Sequence, residues 1–275
     1  ISSGGLTTIT DLSSGDNFFV EEGASLVAQI SNDYAATAST SNFGNTTVQA
    51  SDEGSTIDLS LSAGVGYTIL GGADNDVLIG SSSDDILIGG DGSDTFIVNS
   101  GQDSVLGMST GDILQVAPGA EVLVYNVKNF TATDETKNLG IATFIADITG
   151  SVIDLSLSSH GDYTLLGSAG VDVFTGGSGN DILIGNGTTS ELPSERFSAL
   201  SQVAGSNTFN ILAGTDIIRD LTSGDSFTVS PNATANIESI SNFVATASTS
   251  NLGSANLMAG LDGSRIDMSN ASGRN

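Results

Sequence analysis

The sequence predicts an all-β chain, a right-handed parallel β-solenoid assembled from tandem modules of about 96 residues. Three observations predict it. A nine-residue pattern of polar turn and apolar triplet recurs, a far longer block recurs with it, and helical spacing is nearly absent from the chain.

The short pattern starts at Gly71, from which the chain reads GGADNDVLI, GSSSDDILI, GGDGSDTFI, VNSGQDSVL and GMSTGDILQ. The first six places hold Gly, Ser, Asn and Asp, which tolerate positive φ and close tight turns. The last three, such as Val77-Leu78-Ile79 and Ile86-Leu87-Ile88, are apolar and β-branched and make a short strand. Turn, strand, turn, strand completes one coil in 18 residues and lays two parallel sheets back to back. Side chains alternate along a strand, so the centre of each triplet is expected to face inward. Those residues are Leu78, Leu87 and Phe96, with Phe174, Leu183 and Phe209 in a second copy.

The long repeat is read by direct comparison. Ile57-Asp58-Leu59-Ser60-Leu61-Ser62 returns 96 places on, from Ile153, and Tyr67-Thr68-Ile69-Leu70-Gly71 returns from Tyr163 at the same offset. Asp85-Ile86-Leu87-Ile88-Gly89 does so from Asp181. Beyond it the offset becomes 113, with Thr95-Phe96 matching Thr208-Phe209 and Ser109-Thr110-Gly111-Asp112 matching Thr222-Ser223-Gly224-Asp225. The second copy therefore carries 17 extra residues, near 186–202.

Five segments follow. Residues 1–56 are the end of one module and a β segment, 57–115 a first set of nine-residue coils, and 116–152 a second β segment. Residues 153–229 hold the second set of coils with its insertion 186–202, and 230–275 a third β segment and the start of the next set. Asp16 to Asp58, Asp112 to Asp154 and Asp225 to Asp267 each span 42 residues. The strand-like runs of these segments, such as Leu26–Ile30 and Val122–Tyr125, are expected to form wider coils of the same solenoid; a separate small β-sandwich per module is the alternative. Residues 191–202 read as a short helix or an exposed loop. Both chain ends fall inside a module, as expected of a portion of a longer array.

Composition narrows the function. With 32 Asp and Glu against 6 Lys and Arg, the net charge of −26 argues against nucleic acid or anionic lipid as a partner. Hydrophobic residues at 38% supply enough apolar surface for a folded chain. Without cysteine there is neither a disulfide framework nor a zinc–thiolate site. No run approaches the ~18 apolar residues of a membrane span. The sole histidine, His160, sits in a Ser-Ser-His-Gly turn with no partner motif and is expected to be exposed. The chain shows no HExxH and no phosphate-cradling loop, and is not expected to be an enzyme.

The chemistry lies in the sixth place of the short repeat. It is Asp76, Asp85, Asp94, Asp103 and Asp112; counting back puts Tyr67 and then Asp58 in phase. The second copy gives Asp154, Tyr163, Asp172 and Asp181, then Asn207, Asp216 and Asp225 beyond the insertion. Residues 18 apart should stack, with Asp58, Asp76, Asp94 and Asp112 on one edge and Asp85 over Asp103 on the other. Carboxylates at a strand spacing of ~4.8 Å repel one another. A hard divalent cation between turns reverses that repulsion, with turn carbonyls completing its shell. The candidate metal ligands are therefore Asp58, Asp76, Asp85, Asp94, Asp103, Asp112, Asp154, Asp172, Asp181, Asp216 and Asp225. Asp74, Asp84 and Asp91 read equally well as solvated turn charge.

GGADND, GGDGSD and GGSGND resemble the GGxGxD-x-apolar-x nonapeptide of RTX proteins, although Asp74, Ser81 and Ser83 replace glycines of that pattern. The resemblance implies a parallel β-roll holding several Ca2+ ions between its turns. It maps the family's ligands onto Asp76, Asp85, Asp94, Asp103, Asp172 and Asp181, together with turn carbonyls. It also implies export of an unfolded chain by type I secretion into calcium-rich surroundings. Rolls recurring inside a 96-residue module suggest a structural repeat of an extracellular bacterial surface protein, in a surface layer, sheath or filament, with copies of itself as partners. The alternatives are the extender of a giant RTX adhesin and the calcium-dependent folding module of an exoenzyme.

Overall fold

The computed structural model describes residues 1–2, 4–51, 53–185, 206–219, 221–260 and 264–273. Among the described residues every regular element is a strand, and no helix is long and apolar enough to cross a membrane. The chain divides into two compact units, Ile1–Tyr125 with Glu135–Ala142, and Asn126–Asp134 with Thr143–Asn275. Both are parallel β-solenoids.

In the first unit one sheet runs through Leu6–Leu12, Ser25–Ile30, Asn45–Gln49, Thr68–Gly72, Ile86–Gly90, Gln102–Leu106 and Glu121–Val127. A second sheet runs through Tyr34–Ala35, Thr56–Asp58, Val77–Ile79, Thr95–Val98, Ile113–Val116 and Lys137–Asn138. Pairing is parallel throughout, and in the nonapeptide stretch each residue meets the one 18 places on, as Val77 meets Thr95 and Ile86 meets Ser104. The inward column is Ile69, Leu87 and Val105 from one sheet against Leu78, Phe96 and Leu114 from the other, each at 0% exposure. The triplet centres therefore face inward as the alternation predicts.

Outside the nonapeptides the coils widen. Gln102 meets Glu121, Thr47 meets Thr68 and Tyr34 meets Ile57, steps of 19, 21 and 23 residues. The added residues build a third side, where Phe19–Val20, Ser41–Asn42 and Ala63–Gly64 pair in a short sheet of their own. Aromatic rings fill the larger cross-section. Phe18 stacks on Tyr34 and meets Tyr67 edge-on, both at 6.3 Å between ring centroids. Within this unit wider coils of the same solenoid, rather than a sandwich, flank the roll.

In the second unit one sheet includes Tyr163–Leu166, Ile182–Ile184, Thr215–Arg219, Thr234–Ile240 and Ser254–Ala259. The facing sheet includes Asn129–Thr131, Val152–Asp154, Val173–Thr175, Thr208–Ile211, Ser226–Val229 and Ser250–Asn251. Phe174, Leu183 and Phe209 are fully buried, with Phe174 and Phe209 packed edge-on at 6.2 Å. Ile182 pairs with Ile217 and Val173 with Thr208, both 35 places apart. That is one 18-residue coil plus the 17 extra residues of the second copy, so the strands on either side of the insertion pair in the register of the roll. The expected helix or loop at 191–202 lies outside the described residues.

The stacking expected of Asp58 and Asp154 is corrected. Ile57 pairs with Leu78, so Asp58 lies beside Ile79, and the backbone opposite Asp76 is that of Ser55. Asp154 likewise lies beside Thr175. These strands sit on 21-residue coils with an extra corner at Leu59-Ser60-Leu61-Ser62, closed by the Ser62 N–H on the Leu59 carbonyl. A nine-residue count cannot be carried back across it. Both half-buried carboxylates instead accept the N–H two residues on, from Ser60 and Ser156, each at 2.9 Å.

Candidate metal centre

In several nonapeptide turns the closing aspartate folds back over the turn's own start. In Gly80–Asp85 the Ser81 N–H donates to Asp85 Oδ2 at 2.6 Å, and the Ser81 hydroxyl adds a bond of 3.0 Å to the same oxygen. That hydroxyl also accepts the Ser83 N–H, so Ser81 contributes bonds that a glycine could not. The fold-back explains the glycine in first place. A Cβ on Gly71 would lie 2.7 Å from Asp76 Oδ2, and one on Gly89 only 2.3 Å from Asp94 Oδ2.

The other carboxylate oxygen reaches the preceding coil. Asp76 Oδ1 accepts the Ser55 N–H at 2.8 Å, Asp94 Oδ1 that of Asp76 at 2.9 Å, and Asp112 Oδ1 that of Asp94 at 2.8 Å. On the opposite edge Asp85 accepts from Tyr67 at 2.7 Å and Asp103 from Asp85 at 2.9 Å. In the second unit Asp181 accepts from Tyr163, Asp216 from Asp181, and Asp225 from Asn207. The structure thus stacks Asp76, Asp94 and Asp112, pairs Asp85 with Asp103 and Asp181 with Asp216, and aligns Asp172 with Asn207 and Asp225. Every one of these aspartates is at most 1% exposed.

Burial leaves charge unanswered. Oδ2 of Asp76, Asp94 and Asp216 is buried with no hydrogen-bond partner, a costly state for a carboxylate oxygen. Desolvation pushes the carboxyls of Asp94, Asp172 and Asp181 up to about 6 and that of Asp216 up to about 7. At Asp94 the charges of Asp112 and Asp76 add to the effect. Asp76, Asp85, Asp112 and Asp225 are raised by burial too.

The same geometry suits a cation. A Cβ on Gly80 would lie 2.8 Å from Asp85 Oδ2 and 3.0 Å from Asp103 Oδ2, so carboxylates of successive coils converge on one glycine-lined space. Gly176 stands in the same relation to Asp181 and Asp216, at 2.7 and 3.0 Å. Carbonyls face along the stack as well. A Cβ would sit 2.1 Å from the Gly72 oxygen if built on Gly90, 2.1 Å from that of Asp74 on Gly92, and 2.2 Å from that of Gly161 on Gly179. Asp74 adopts φ +63°, a left-handed conformation that aspartate tolerates, where the next coil has Gly92. Among the described residues no three His, Cys, Asp or Glu side chains gather to hold a metal, so carbonyls must supply much of any shell. An all-oxygen donor set of this kind fits Ca2+ rather than a softer metal.

Two features escaped the sequence reading. The fifth place forms its own outer row of bonds, running in the opposite sense to the inner one. Asn75 Oδ1 accepts the Ser93 N–H at 2.7 Å, Asp84 Oδ1 that of Gln102 at 2.9 Å, and Asp162 Oδ1 that of Asn180 at 2.8 Å. The signal was an Asn or Asp directly before the sixth place. The second feature is a Thr-x-Asn-x-Gly corner with a buried threonine in the wide coils, at Thr40 to Gly44, Thr136 to Gly140 and Thr249 to Gly253. Asn42 accepts from Gly44 N–H and the Thr46 hydroxyl while its amide donates to the Gly66 carbonyl. Asp74, Asp84 and Asp91 are exposed, as is His160.

Glycine-lidded turns, aspartates repeated every coil and apolar triplets define a parallel β-roll with metal-suited edges. The family model for the RTX calcium-binding nonapeptide repeat matches residues 68–105 and 164–188, in four copies. These stretches are RTX repeats, and RTX nonapeptide repeats bind calcium. The roll they form is a structural calcium-binding domain rather than a catalytic fold. No curated protein and no solved structure matches the chain. Asp112, Asp216 and Asp225 lie outside the matched stretches yet repeat the same bonds.

Proposed function

We propose that this chain is a calcium-stabilised structural repeat region of an extracellular bacterial surface protein, in a surface layer, sheath or filament. One observation carries the reading: the buried, unpartnered Oδ2 atoms of Asp76 and Asp94 in successive coils of a chain with net charge −26. Metal-free carboxylates of this kind repel one another at neutral pH, and calcium relieves the repulsion where it is abundant, outside the cell. The ligands are Asp76, Asp85, Asp94, Asp103, Asp112, Asp172, Asp181, Asp216 and Asp225 with the turn carbonyls. Asp58 and Asp154 hold corners of the wide coils instead. A solenoid repeating the same roll in successive modules supports a scaffold, and copies of the chain itself are its partners. The chain has no catalytic role in this reading.

Immunogold labelling of intact source cells tests the assignment. A continuous lattice or sheath of label, shed when calcium is chelated, is the expected result. Label confined to the cell interior overturns it, and sparse label held far from the envelope favours an adhesin extender.

A further inference from the structure

The insertion interrupts the second roll after Gly185, inside a turn that elsewhere is an unbroken run of six residues. The coils on its two sides nonetheless pair in register. At the sixth place beyond the insertion stands Asn207, 1% exposed. Its Oδ1 accepts the Asp172 N–H at 2.9 Å, as the aspartates do for their preceding coils. Its amide nitrogen donates to the Gly185 carbonyl at 3.0 Å. A Cβ on Gly185 would lie 2.7 Å from that nitrogen, just as one on Gly89 would meet Asp94 Oδ2. The amide N–H thus occupies the place of the unpartnered carboxylate oxygen. The reversed amide would set donor against donor at Asp172 and acceptor against acceptor at Gly185, which fixes the orientation.

Two further amides cross the same junction. Asn180 Oδ1 accepts the Thr215 N–H at 3.0 Å across 35 residues. Asn210 donates to the Thr175 hydroxyl at 3.1 Å and accepts from the Thr228 hydroxyl at 2.9 Å. In the first roll the matching places hold Asp84, Asp94 and Ile97.

We infer that Asn180, Asn207 and Asn210 form a calcium-independent amide seam across the insertion, and that the Asn207 rung takes no metal. A neutral amide brings its own donor and acceptor, so nothing buried there is left for a cation to satisfy. Its N–H groups also turn a positive edge toward the space a cation would fill, and the Gly185 carbonyl is committed to them. The seam joins the coils on either side of the insertion without metal while the other rungs depend on calcium, so the inference rests on the calcium reading of those rungs.

Counting bound calcium by isothermal titration and elemental analysis on the whole chain decides it, comparing wild type with Asn207→Ala and Asn207→Asp. The expected result is an unchanged ion count in Asn207→Ala with a lower melting temperature in calcium, and one additional ion in Asn207→Asp. Loss of an ion in Asn207→Ala makes the asparagine oxygen a ligand and overturns the inference. A folded Asn207→Asp with the wild-type count overturns it as well. Wild-type protein that binds no calcium refutes the reading of the other rungs instead, so the two failures are distinguishable.

Discussion

The backbone N–H of Asp76 donates to Oδ1 of Asp94, one coil later, at 2.9 Å. That bond spends one carboxylate oxygen on backbone register and leaves Oδ2 buried beside Gly89 without a partner. One side chain thereby links the fold to the metal. It tethers the coil before it and presents charge that only a proton or a cation can settle.

Asp94→Ala removes both roles, and is expected to lower the calcium count and the melting temperature together. Asp74→Gly is the control, because Asp74 is exposed and lends the turn its left-handed backbone, which glycine adopts freely. Calcium titration and thermal melts followed by circular dichroism should show a near-wild-type control. Equal damage from the two substitutions would contradict the account.

Asp58→Ala and Asp76→Ala separate register from composition. Both residues fit the nine-residue count, but only Asp76 lies in the buried stack. Asp76→Ala should bind fewer ions, while Asp58→Ala keeps the full number and loses only its corner bond to Ser60. An ion lost with Asp58 would place it back among the ligands.

Stability without metal should fall as pH rises. Burial lifts Asp94, Asp172 and Asp181 to about 6 and Asp216 to about 7, above the ~3.9 of an unfolded aspartate. Between those limits the folded chain holds more protons than the unfolded one, so its stabilisation is complete below about pH 4 and lost through pH 6 to 7. Metal-free protein should therefore melt at a higher temperature at pH 4.5 than at pH 8. Calcium, which binds the deprotonated carboxylates, should flatten that dependence. Melts of dialysed protein across this range check the sign, and metal-free stability that climbs with pH would refute it.

Gly89→Ala puts a Cβ 2.3 Å from Asp94 Oδ2 and 2.8 Å from the Phe96 ring. Overpacking of this kind costs about 1–3 kcal/mol, and the displaced carboxylate should weaken calcium binding as well. Gly5→Ala meets nothing within 4 Å and should stay within about 0.5 kcal/mol of wild type by urea unfolding.

Much of this was legible in the sequence because a solenoid repeats its local rules. Strand alternation alone placed Leu78, Leu87 and Phe96 in the core, and the nine-residue count put Asp85 over Asp103. The count failed at Asp58 and Asp154, where a third side adds residues that no nonapeptide pattern encodes. The direction in which each carboxylate leans was also hidden, since it follows from which N–H groups the turns leave open. Asn207 stands in phase with the aspartates by count, and only its bond to the Gly185 carbonyl reveals the donor it sets in the place of a carboxylate oxygen.

The most direct test of the calcium-bound roll is an anomalous difference map from crystals of the chain grown in calcium. Peaks between successive turns, beside Oδ2 of Asp76 and Asp94 and between Asp85 and Asp103, with none at Asp58 or Asn207, are the expected result. A map without density in those turns, with the same oxygens bonded only to water, would contradict the account.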